Sequence, residues 1–364
     1  MGGPASHAPD VARFLLARGH GVEVVTTAAA APADEPYRVR WVSRSLPKGA
    51  IHVRTAALVR SCARNADVVY TTGMFGRSAA GAVGARKPYV VKLTADPAFE
   101  RLRRRGLVGG DVEDFQTAGG GVPAALLRRA RDIELRRAAH VFCPSAYLQQ
   151  LVLSWGVPPE RVSVLPNPAP DLPQLAPREQ LRHSFGLNGA TLAFAGRLTA
   201  QKSLARALEV VAGAGDLRLV IAGDGPDRGP LESRARQLGI ADRVDFIGAQ
   251  PRQRVVELFR AADATILSST WENFPHTVVE ALAVGTPVLA MEVGGISEVV
   301  RDGANGLLVA PGDTAALAAA VRRYFTDETL RERLRAAAAP SVAAYAPERV
   351  FGELEETLRR VARK

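Results

Sequence analysis

The chain has 364 residues, of which 47% are hydrophobic and 23% charged, and its length favours two domains that can each bury a core. No apolar run approaches the ~20 residues of a membrane-spanning helix, and Arg13 and Arg18 interrupt the apolar stretch near the amino end, a pattern unlike a signal peptide. The two cysteines, Cys62 and Cys143, have no metal-site spacing, which favours a reducing, cytoplasmic location.

The net charge of +10 is concentrated in the amino-terminal half. Residues 1–180 carry 24 lysines and arginines against 15 acidic residues, a balance of +9, whereas residues 181–364 carry 23 against 22. One interpretation is that an acidic partner or surface meets the amino-terminal half. The other is that an alanine-, glycine- and arginine-rich composition simply places arginine on solvated faces. Composition leaves both open.

The amino terminus carries a glycine turn without a preceding strand. Gly2 and Gly3 lead into an amphipathic helix, which is followed by the predicted strand Val22–Thr26. In dinucleotide-type domains such a turn approaches a phosphate, but it follows a strand, and here only Met1 precedes it. We therefore expect that the chain as given starts too late and lacks the first strand of its amino-terminal domain.

Strands and helices alternate along the whole chain, which predicts a parallel, doubly wound α/β architecture. In the first half, strands are predicted at Val22–Thr26, Tyr37–Val42, Val68–Thr72, Tyr89–Leu93, His140–Cys143 and Val162–Leu165, with helices near Val53–Arg64, Arg77–Ala85, Pro123–Ala138 and Ala146–Trp155. In the second half, strands are predicted at Thr191–Ala195, Leu217–Ala222, Val244–Ile247, Ala264–Leu267, Val288–Met291 and Gly306–Val309, with a final helix at Pro347–Val361. A proline-dense link, Pro166 to Pro177, separates the two series. We therefore expect domains at residues 1–170 and 178–345, and a C-terminal helix in residues 346–364.

The stretch from Ala264 to Ala290, ATILSSTWENFPHTVVEALAVGTPVLA, reads as strand, loop, helix and strand, with Pro275 in the first helical turn. Glu272 lies in the loop, and Glu280 lies near the buried face of the helix, where a carboxylate needs a partner. A helix N-terminus suits a phosphate, and two carboxylates can accept from hydroxyls, so the unit suits a nucleotide sugar. On spacing alone, a solvated Glu272 and an arginine-paired Glu280 are an equal alternative.

A second candidate site is the sequence FAGRLTAQK, from Phe194 to Lys202. Arg197 and Lys202 lie on a turn between a predicted strand and a helix, where they could clamp a diphosphate. The alternative is a surface pair of cations with no ligand. Glycines also follow the next two strands, at Gly223 and Gly248, and glycines at strand ends are ordinary turn chemistry.

These motifs resemble those of a known family. The run Glu272 to Pro275, with Glu280 and the turn 285–287, resembles the E-x7-E signature of family-4 retaining glycosyltransferases of the GT-B fold. Arg197 and Lys202 match that family's G-R-x4-K pattern. The resemblance implies that the first glutamate contacts the donor sugar's hydroxyls and the second the ribose hydroxyls. It further implies that the two cations and the backbone around residues 274–277 hold the diphosphate.

The resemblance also implies a fold and a full set of site residues. The GT-B fold has two Rossmann-like domains facing an interdomain cleft, with a C-terminal helix that crosses back to the first domain. The catalytic candidates are Glu272, Arg197, Lys202 and Asp96. The donor-binding candidates are Gly3, Gly196, Gly223, Gly248, Asn273, Phe274, Pro275, His276, Thr277 and Glu280.

The amino-terminal half resembles the family less closely. Where family members often carry a histidine after the fourth or fifth strand, this chain has Lys92 to Asp96. Asp96 follows a strand end and could contact the donor sugar or the acceptor. The arginines that come next, Arg101 and residues 103–105, are interpreted as a solvated basic helix.

The resemblance implies a metal-independent retaining glycosyltransferase whose co-substrate is a nucleotide-diphosphate sugar, with no further cofactor. The six histidines form no metal-site pattern, and the sequence has no Asp-x-Asp triplet. The acceptor is unknown: candidates are acidic, lipid-linked or polysaccharide precursors of a cell envelope, with peripheral contact at the inner membrane face and no role for nucleic acid. The alternatives are a GT-B nucleotide-sugar epimerase or hydrolase, and a non-catalytic nucleotide-sugar-binding protein.

Overall fold

A computed structural model describes residues 4–103, 105–108, 112–117, 121–170 and 175–363. The chain forms two compact units. One runs from Asn167 to Arg349, and the other contains the described residues between Pro4 and Pro166 together with those from Val350 onward. The boundary falls at the start of the proline-dense link. Among the described residues, no helix is long and apolar enough to cross a bilayer.

The amino-terminal unit alternates strands and helices in the predicted way. Its strands are β1 (Glu23–Ala28), β2 (Arg38–Ser43), β3 (Val69–Thr71), β4 (Tyr89–Lys92), β5 (His140–Cys143) and β6 (Val162–Val164). Its helices are α1 (Pro4–Ala17), α2 (Lys48–Ala63), α3 (Phe75–Gly84), α4 (Pro97–Arg103), α5 (Val112–Thr117), α6 (Gly121–Arg137) and α7 (Ala146–Ser154). All strand pairs are parallel, and they form a two-stranded sheet β1-β2 and a four-stranded sheet β3-β4-β5-β6. Within the described residues, no pairing joins the two sheets.

Strands β4 and β5 are buried on both faces, so alternate residues face two different cores. Val91 and Val141 pack in a cluster with residues of α7. Val90 and Phe142 pack in a second cluster with Val11 of α1. A short apolar strand between two helical layers is what the sequence predicts for a parallel sheet.

The carboxyl-terminal unit is a six-stranded parallel sheet with helices between its strands. The strands are β7 (Thr191–Ala195), β8 (Arg218–Ala222), β9 (Val244–Gly248), β10 (Ala264–Leu267), β11 (Val288–Met291) and β12 (Gly306–Val309). The helices are α8 (Arg178–Ser184), α9 (Leu204–Ala212), α10 (Arg228–Gln237), α11 (Arg252–Ala261), α12 (His276–Ala283), α13 (Thr314–Thr326) and α14 (Glu328–Ser341). The strand order β12-β11-β10-β7-β8-β9 reverses between β7 and β10. Such a reversal is the topological switch point of a doubly wound sheet.

The final helix, α15 (Pro347–Ala362), supplies part of the amino-terminal unit's core from Val350 onward. Leu354 and Leu358 lie in the same cluster as Val90 and Phe142. The helix is strongly amphipathic, with apolar residues at a spacing of three and four. Its observed bounds differ by one residue from the prediction.

Two predicted helix starts are wrong for the same physical reason. Helix α12 begins at His276 and Pro275 is its N-cap residue, with φ −72° and ψ 118°, rather than part of its first turn. Helix α2 begins at Lys48, five residues before the predicted Val53, directly after Pro47. In both cases an extended proline precedes the helix, because its fixed φ and missing N–H suit the entry to a helix.

Candidate functional site

The candidate site lies at the switch point of the carboxyl-terminal sheet. The turn after β7 carries Arg197 and Lys202, and the loop after β10 carries Glu272. Because β7 and β10 are neighbours in the sheet, both loops leave the same edge side by side. Ligands of open α/β sheets bind in the crevice at this position.

Hydrogen bonds join the two loops along their length. The Thr270 N–H donates to the Gln201 carbonyl at 2.8 Å, and the Gln201 side chain donates to the Trp271 carbonyl at 2.8 Å. The Ser268 hydroxyl donates to the Lys202 carbonyl at 3.1 Å. These bonds hold the two halves of the site in register.

Lys202 and Glu272 form an ion pair across the two loops. Glu272 is 5% exposed, and the Ser269 hydroxyl donates to the same Oε1 at 2.7 Å. A carboxylate at this depth requires such partners. The structure thus brings together two residues that the sequence predicted for one site, and it adds Ser269.

Arg197 has a different environment from Lys202. Its side chain is exposed, and it makes no hydrogen bond or ion pair within the described residues. Two cations therefore lie on one turn, one paired with a buried acid and one facing solvent. An unpaired guanidinium beside a switch point suits an incoming phosphate, because its fork of donors matches phosphate oxygens.

Glu280 lies on α12 and is 6% exposed. Burial raises the pKa of this carboxyl, and the neighbouring Arg252 guanidinium, whose Nε donates to Glu280 Oε1 at 2.8 Å, counteracts the rise. Arg252 is the first residue of α11. Sequence reasoning required a partner for Glu280 but missed which arginine it is, since 28 positions separate the two.

Two glycines near the site, the predicted Gly223 and in addition Gly294, pack against backbone. A Cβ on Gly223 would overlap the Gly196 carbonyl oxygen, and one on Gly294 would overlap the Glu272 carbonyl oxygen. Gly223 also donates its N–H to the Gly248 carbonyl at 2.8 Å. These positions exclude a side chain because the strand ends approach closely. Donor contacts of Gly196, Gly223 and Gly248 stay predictions.

The segment between Glu272 and α12 is anchored by the fold. Asn273 and Phe274 are buried, and the Phe274 ring packs edge-on against Tyr345 with centroids 5.6 Å apart. Asn167 donates to the Phe274 carbonyl at 3.1 Å. The predicted donor residues Pro275, His276 and Thr277 follow at the beginning of α12, where backbone N–H groups lack helical partners.

Asp96 lies in the amino-terminal unit and has no exposed surface. Its Oδ2 accepts from Arg131 at 2.5 Å and from Gln116 at 3.0 Å, and its Oδ1 accepts from the N–H of Ala98 at 2.8 Å. This geometry gives the carboxylate a structural role at the beginning of α4. Its contact with a sugar stays a prediction. Gly3 lies outside the described residues.

The described residues contain no group of three or more His, Cys, Asp or Glu side chains placed to hold a metal ion. The site instead combines two cations, two buried carboxylates and a helix N-terminus. Cations and free N–H groups suit phosphates, and carboxylates accept hydrogen bonds from hydroxyls. This arrangement suits a nucleotide sugar, and the donor contacts of these residues stay predictions.

The fold and the switch-point site together define a GT-B protein with two Rossmann-like units. Residues 178–340 match the family described as glycosyl transferases group 1, and residues 1–170 match Glycosyltransferase Family 4. A D-inositol 3-phosphate glycosyltransferase of Acidothermus cellulolyticus is 30% identical over 378 residues, covering 93% of this chain and 81% of that protein. The chain belongs to glycosyltransferase family 4.

Other relatives match over shorter regions. The protein named D-inositol 3-phosphate glycosyltransferase in Nocardia farcinica is 39% identical over 51% of this chain, which spans only 44% of that protein. A 2-deoxystreptamine glucosyltransferase of Streptomyces kanamyceticus is 35% identical over 46% of each chain. The chain thus spans less than half the length of these two relatives.

Solved structures share the fold over nearly the whole chain. The Anabaena protein HepE in complex with UDP-glucose has a TM-score of 0.80 at 22% identity, covering 99% of this chain and 96% of HepE. Sucrose-phosphate synthase from Thermosynechococcus elongatus has a TM-score of 0.81 at 19% identity, with 99% and 94% coverage. At this identity the likeness shows the fold alone.

Proposed function

We propose that this chain is a retaining, metal-independent glycosyltransferase that moves a sugar from a nucleotide-diphosphate sugar to an acceptor. The observation that carries the proposal is the Lys202–Glu272 ion pair at the switch point, with Arg197 on the same turn as Lys202 and Glu280 on the helix that follows the Glu272 loop. Membership of family 4 and the UDP-glucose bound by the structural relative HepE support a nucleotide-sugar donor.

Each residue of the group has a role in this proposal. Glu272 accepts hydrogen bonds from the donor sugar, and Glu280 accepts from the ribose. Arg197 and Lys202 stabilise the diphosphate, on which negative charge develops as the sugar–phosphate bond breaks and the sugar becomes oxocarbenium-like. Preorganised cations aimed at developing charge are a large source of acceleration. Lys202 is already held in place by Glu272 and by the inter-loop hydrogen bonds.

The direct test is to incubate the protein with UDP-, GDP- and ADP-sugars and to measure nucleoside diphosphate release with and without candidate acceptors. Acceptor-dependent release with retention at the anomeric carbon supports the transferase. Release without an acceptor identifies a hydrolase, interconversion of the sugar identifies an epimerase, and binding without turnover identifies a non-catalytic protein.

Metal-independence has its own test. Turnover should survive EDTA, because Arg197 and Lys202 can neutralise the diphosphate. If EDTA abolishes turnover and Mg²⁺ or Mn²⁺ restores it, the two cations do not act as the clamp.

For the acceptor we propose an acidic or lipid-linked molecule, used at the cytoplasmic face of the inner membrane. The support is the +9 balance of residues 1–180 against the near-neutral second half. Binding to anionic vesicles should weaken steeply with added salt, since surface attraction is screened within about 8–10 Å at physiological ionic strength. Equal binding to anionic and neutral vesicles would show that those arginines simply lie on solvated faces and do not bind an acidic surface.

A further inference from the structure

Helix α6 (Gly121–Arg137) exposes apolar side chains on one face. Val122, Leu126 and Ile133 are 72%, 64% and 43% exposed, and their spacing of four and seven residues places them on one stripe. The opposite face is buried through Ala124, Arg131 and Leu135, which have the same spacing. One stripe of the helix is therefore apolar toward solvent, unlike the polar outer face of an ordinary surface helix.

Arginines flank this apolar stripe. Arg129 and Arg136 lie on one side of it and Arg137 on the other, and all three are exposed. Arg129 and Arg137 make no ion pair within the described residues. Of the two acids on the helix, Asp132 is paired with Arg131, and Glu134 is half-buried, which raises the pKa of its carboxyl. The exposed face is thus apolar at its centre and cationic at its edges.

A basic cavity adjoins this face. It has a volume of about 670 Å³, and four arginines and one acid, Asp132, line it together with Trp155. The cavity wall is rigid, because Arg136 Nε donates to the Trp155 carbonyl at 2.8 Å and the Arg131 guanidinium stacks 3.7 Å from the Trp155 ring centroid. Its arginines suit the phosphate of a lipid headgroup.

We infer that α6 is the surface by which this protein lies on an anionic membrane. The apolar stripe inserts at the boundary between headgroups and acyl chains, and the flanking arginines contact lipid phosphates. An interfacial helix needs this combination of an apolar face and a basic border. The inference rests on the membrane contact proposed above, and it names the helix responsible.

The test uses the full chain and vesicles of phosphatidylcholine with or without about one third phosphatidylglycerol. The double variant L126S/I133S removes the stripe without adding charge and should reduce binding to anionic vesicles by at least about tenfold. Arg129→Gln should reduce it about fivefold, the usual effect of one cation near such a surface. These side chains are exposed, so the melting temperature should not change.

Two matched controls separate α6 from general surface chemistry. Val53→Ser removes a 71% exposed apolar residue from α2 of the same unit, and Arg322→Gln removes an exposed cation from α13. Both should bind like the unchanged protein. If Val53→Ser weakens binding as much as L126S/I133S, the assignment to α6 is overturned.

The remaining outcomes are also decisive. If the unchanged protein prefers anionic vesicles and L126S/I133S does the same, membrane contact stands and α6 is not its surface. If the unchanged protein binds no vesicle, the proposed membrane contact and its assignment to α6 are both wrong. Nucleoside diphosphate release still tests the glycosyltransferase separately. A dimer in solution that L126S/I133S dissociates would assign the stripe to a second copy of the chain.

Discussion

At the residue scale, the central feature is that the two cations of the site have different partners. Lys202 is 19% exposed and pairs with the buried Glu272, whereas Arg197 is exposed. The Lys202 ammonium therefore stabilises the folded protein as well as the proposed diphosphate. The guanidinium of Arg197 is available for a ligand alone.

This difference predicts two separable effects. Arg197→Ala and Lys202→Ala should each reduce turnover by about 10²–10³, since each removes a contact to developing charge. Only Lys202→Ala should also lower the melting temperature, because it leaves Glu272 buried without its cation. Thermal unfolding and nucleoside diphosphate release measure the two effects. Arg236→Ala, on the exposed face of α10, is the control; wild-type turnover in Arg197→Ala would contradict the donor site.

From the pairing of Arg252 with Glu280 we expect nucleotide binding to depend on pH. Glu280 accepts best from ribose hydroxyls when ionised, and Arg252 opposes the rise in its pKa that burial causes. In Arg252→Gln that pKa rises further, so on acidification the affinity for the nucleoside diphosphate should begin to fall at a higher pH than in the unchanged protein.

The control for this effect is Glu280→Gln, which should bind the nucleoside diphosphate weakly at every pH. Adding Arg252→Gln to this variant should introduce no further pH dependence. Calorimetric titration with UDP, GDP and ADP gives the affinities. Arg252→Lys should restore most of the loss at low pH. Identical pH profiles in Arg252→Gln and the unchanged protein would refute a role for Arg252 in positioning an ionised Glu280.

At the element scale, the two loops of the site are built by neighbouring strands, whereas α15 supplies core to the amino-terminal unit. The loops after β7 and β10 are joined by hydrogen bonds. Helix α15 packs Val350, Leu354 and Leu358 in one cluster with Val90 and Phe142. The stability of the amino-terminal unit therefore depends on residues near the carboxyl end of the chain.

Leu354→Ala tests that dependence. Leu354 is fully buried, so its truncation should cost about 2–5 kcal/mol of unfolding free energy. Glu356→Ala, on the exposed face of the same helix, should change it by less than about 0.5 kcal/mol. Urea unfolding followed by circular dichroism measures both. An equal effect of the two substitutions would show that α15 does not belong to this core.

At the scale of the whole molecule, buried titratable groups make folding depend on pH. His140 is 5% exposed, with a ring nitrogen 2.8 Å from the Ser163 hydroxyl. Burial, helped by the nearby Arg360, lowers the pKa of His140 to about 4. In the unfolded chain a histidine has a pKa of about 6.5. The folded protein thus keeps this ring neutral where the unfolded chain becomes protonated.

The sign of the effect follows from linkage. As pH falls from about 6.5 to about 4, the unfolded chain takes up a proton that folded His140 does not, so the unfolding free energy should decrease. We expect a loss on the order of 1–3 kcal/mol. In His140→Gln the unfolding free energy should decrease less steeply over this pH range. His183→Gln, which changes an exposed histidine, is the control and should leave the slope unchanged. If the unfolding free energy decreases with the same slope in the unchanged protein and in His140→Gln, this residue is not the cause.

The sequence by itself determined the α/β class, the positions of most strands, and the E-x7-E and G-R-x4-K motifs. These features are local: alternation of apolar runs, turn residues at strand ends, and glutamates at fixed spacing on a loop and its helix. Helix starts were less well predicted, because a proline favours an extended residue before the helix as readily as a position in its first turn.

Only the tertiary structure decided which side chains meet. Lys202 and Glu272 are 70 positions apart, and they pair because the reversal of strand order makes β7 and β10 neighbours. The partnership of Arg252 with Glu280 and the burial of Asp96 against Arg131 likewise depend on which helices pack together. Residue periodicity records which side of an element is buried, but not the element against which it is buried, so these contacts could not be read from the sequence.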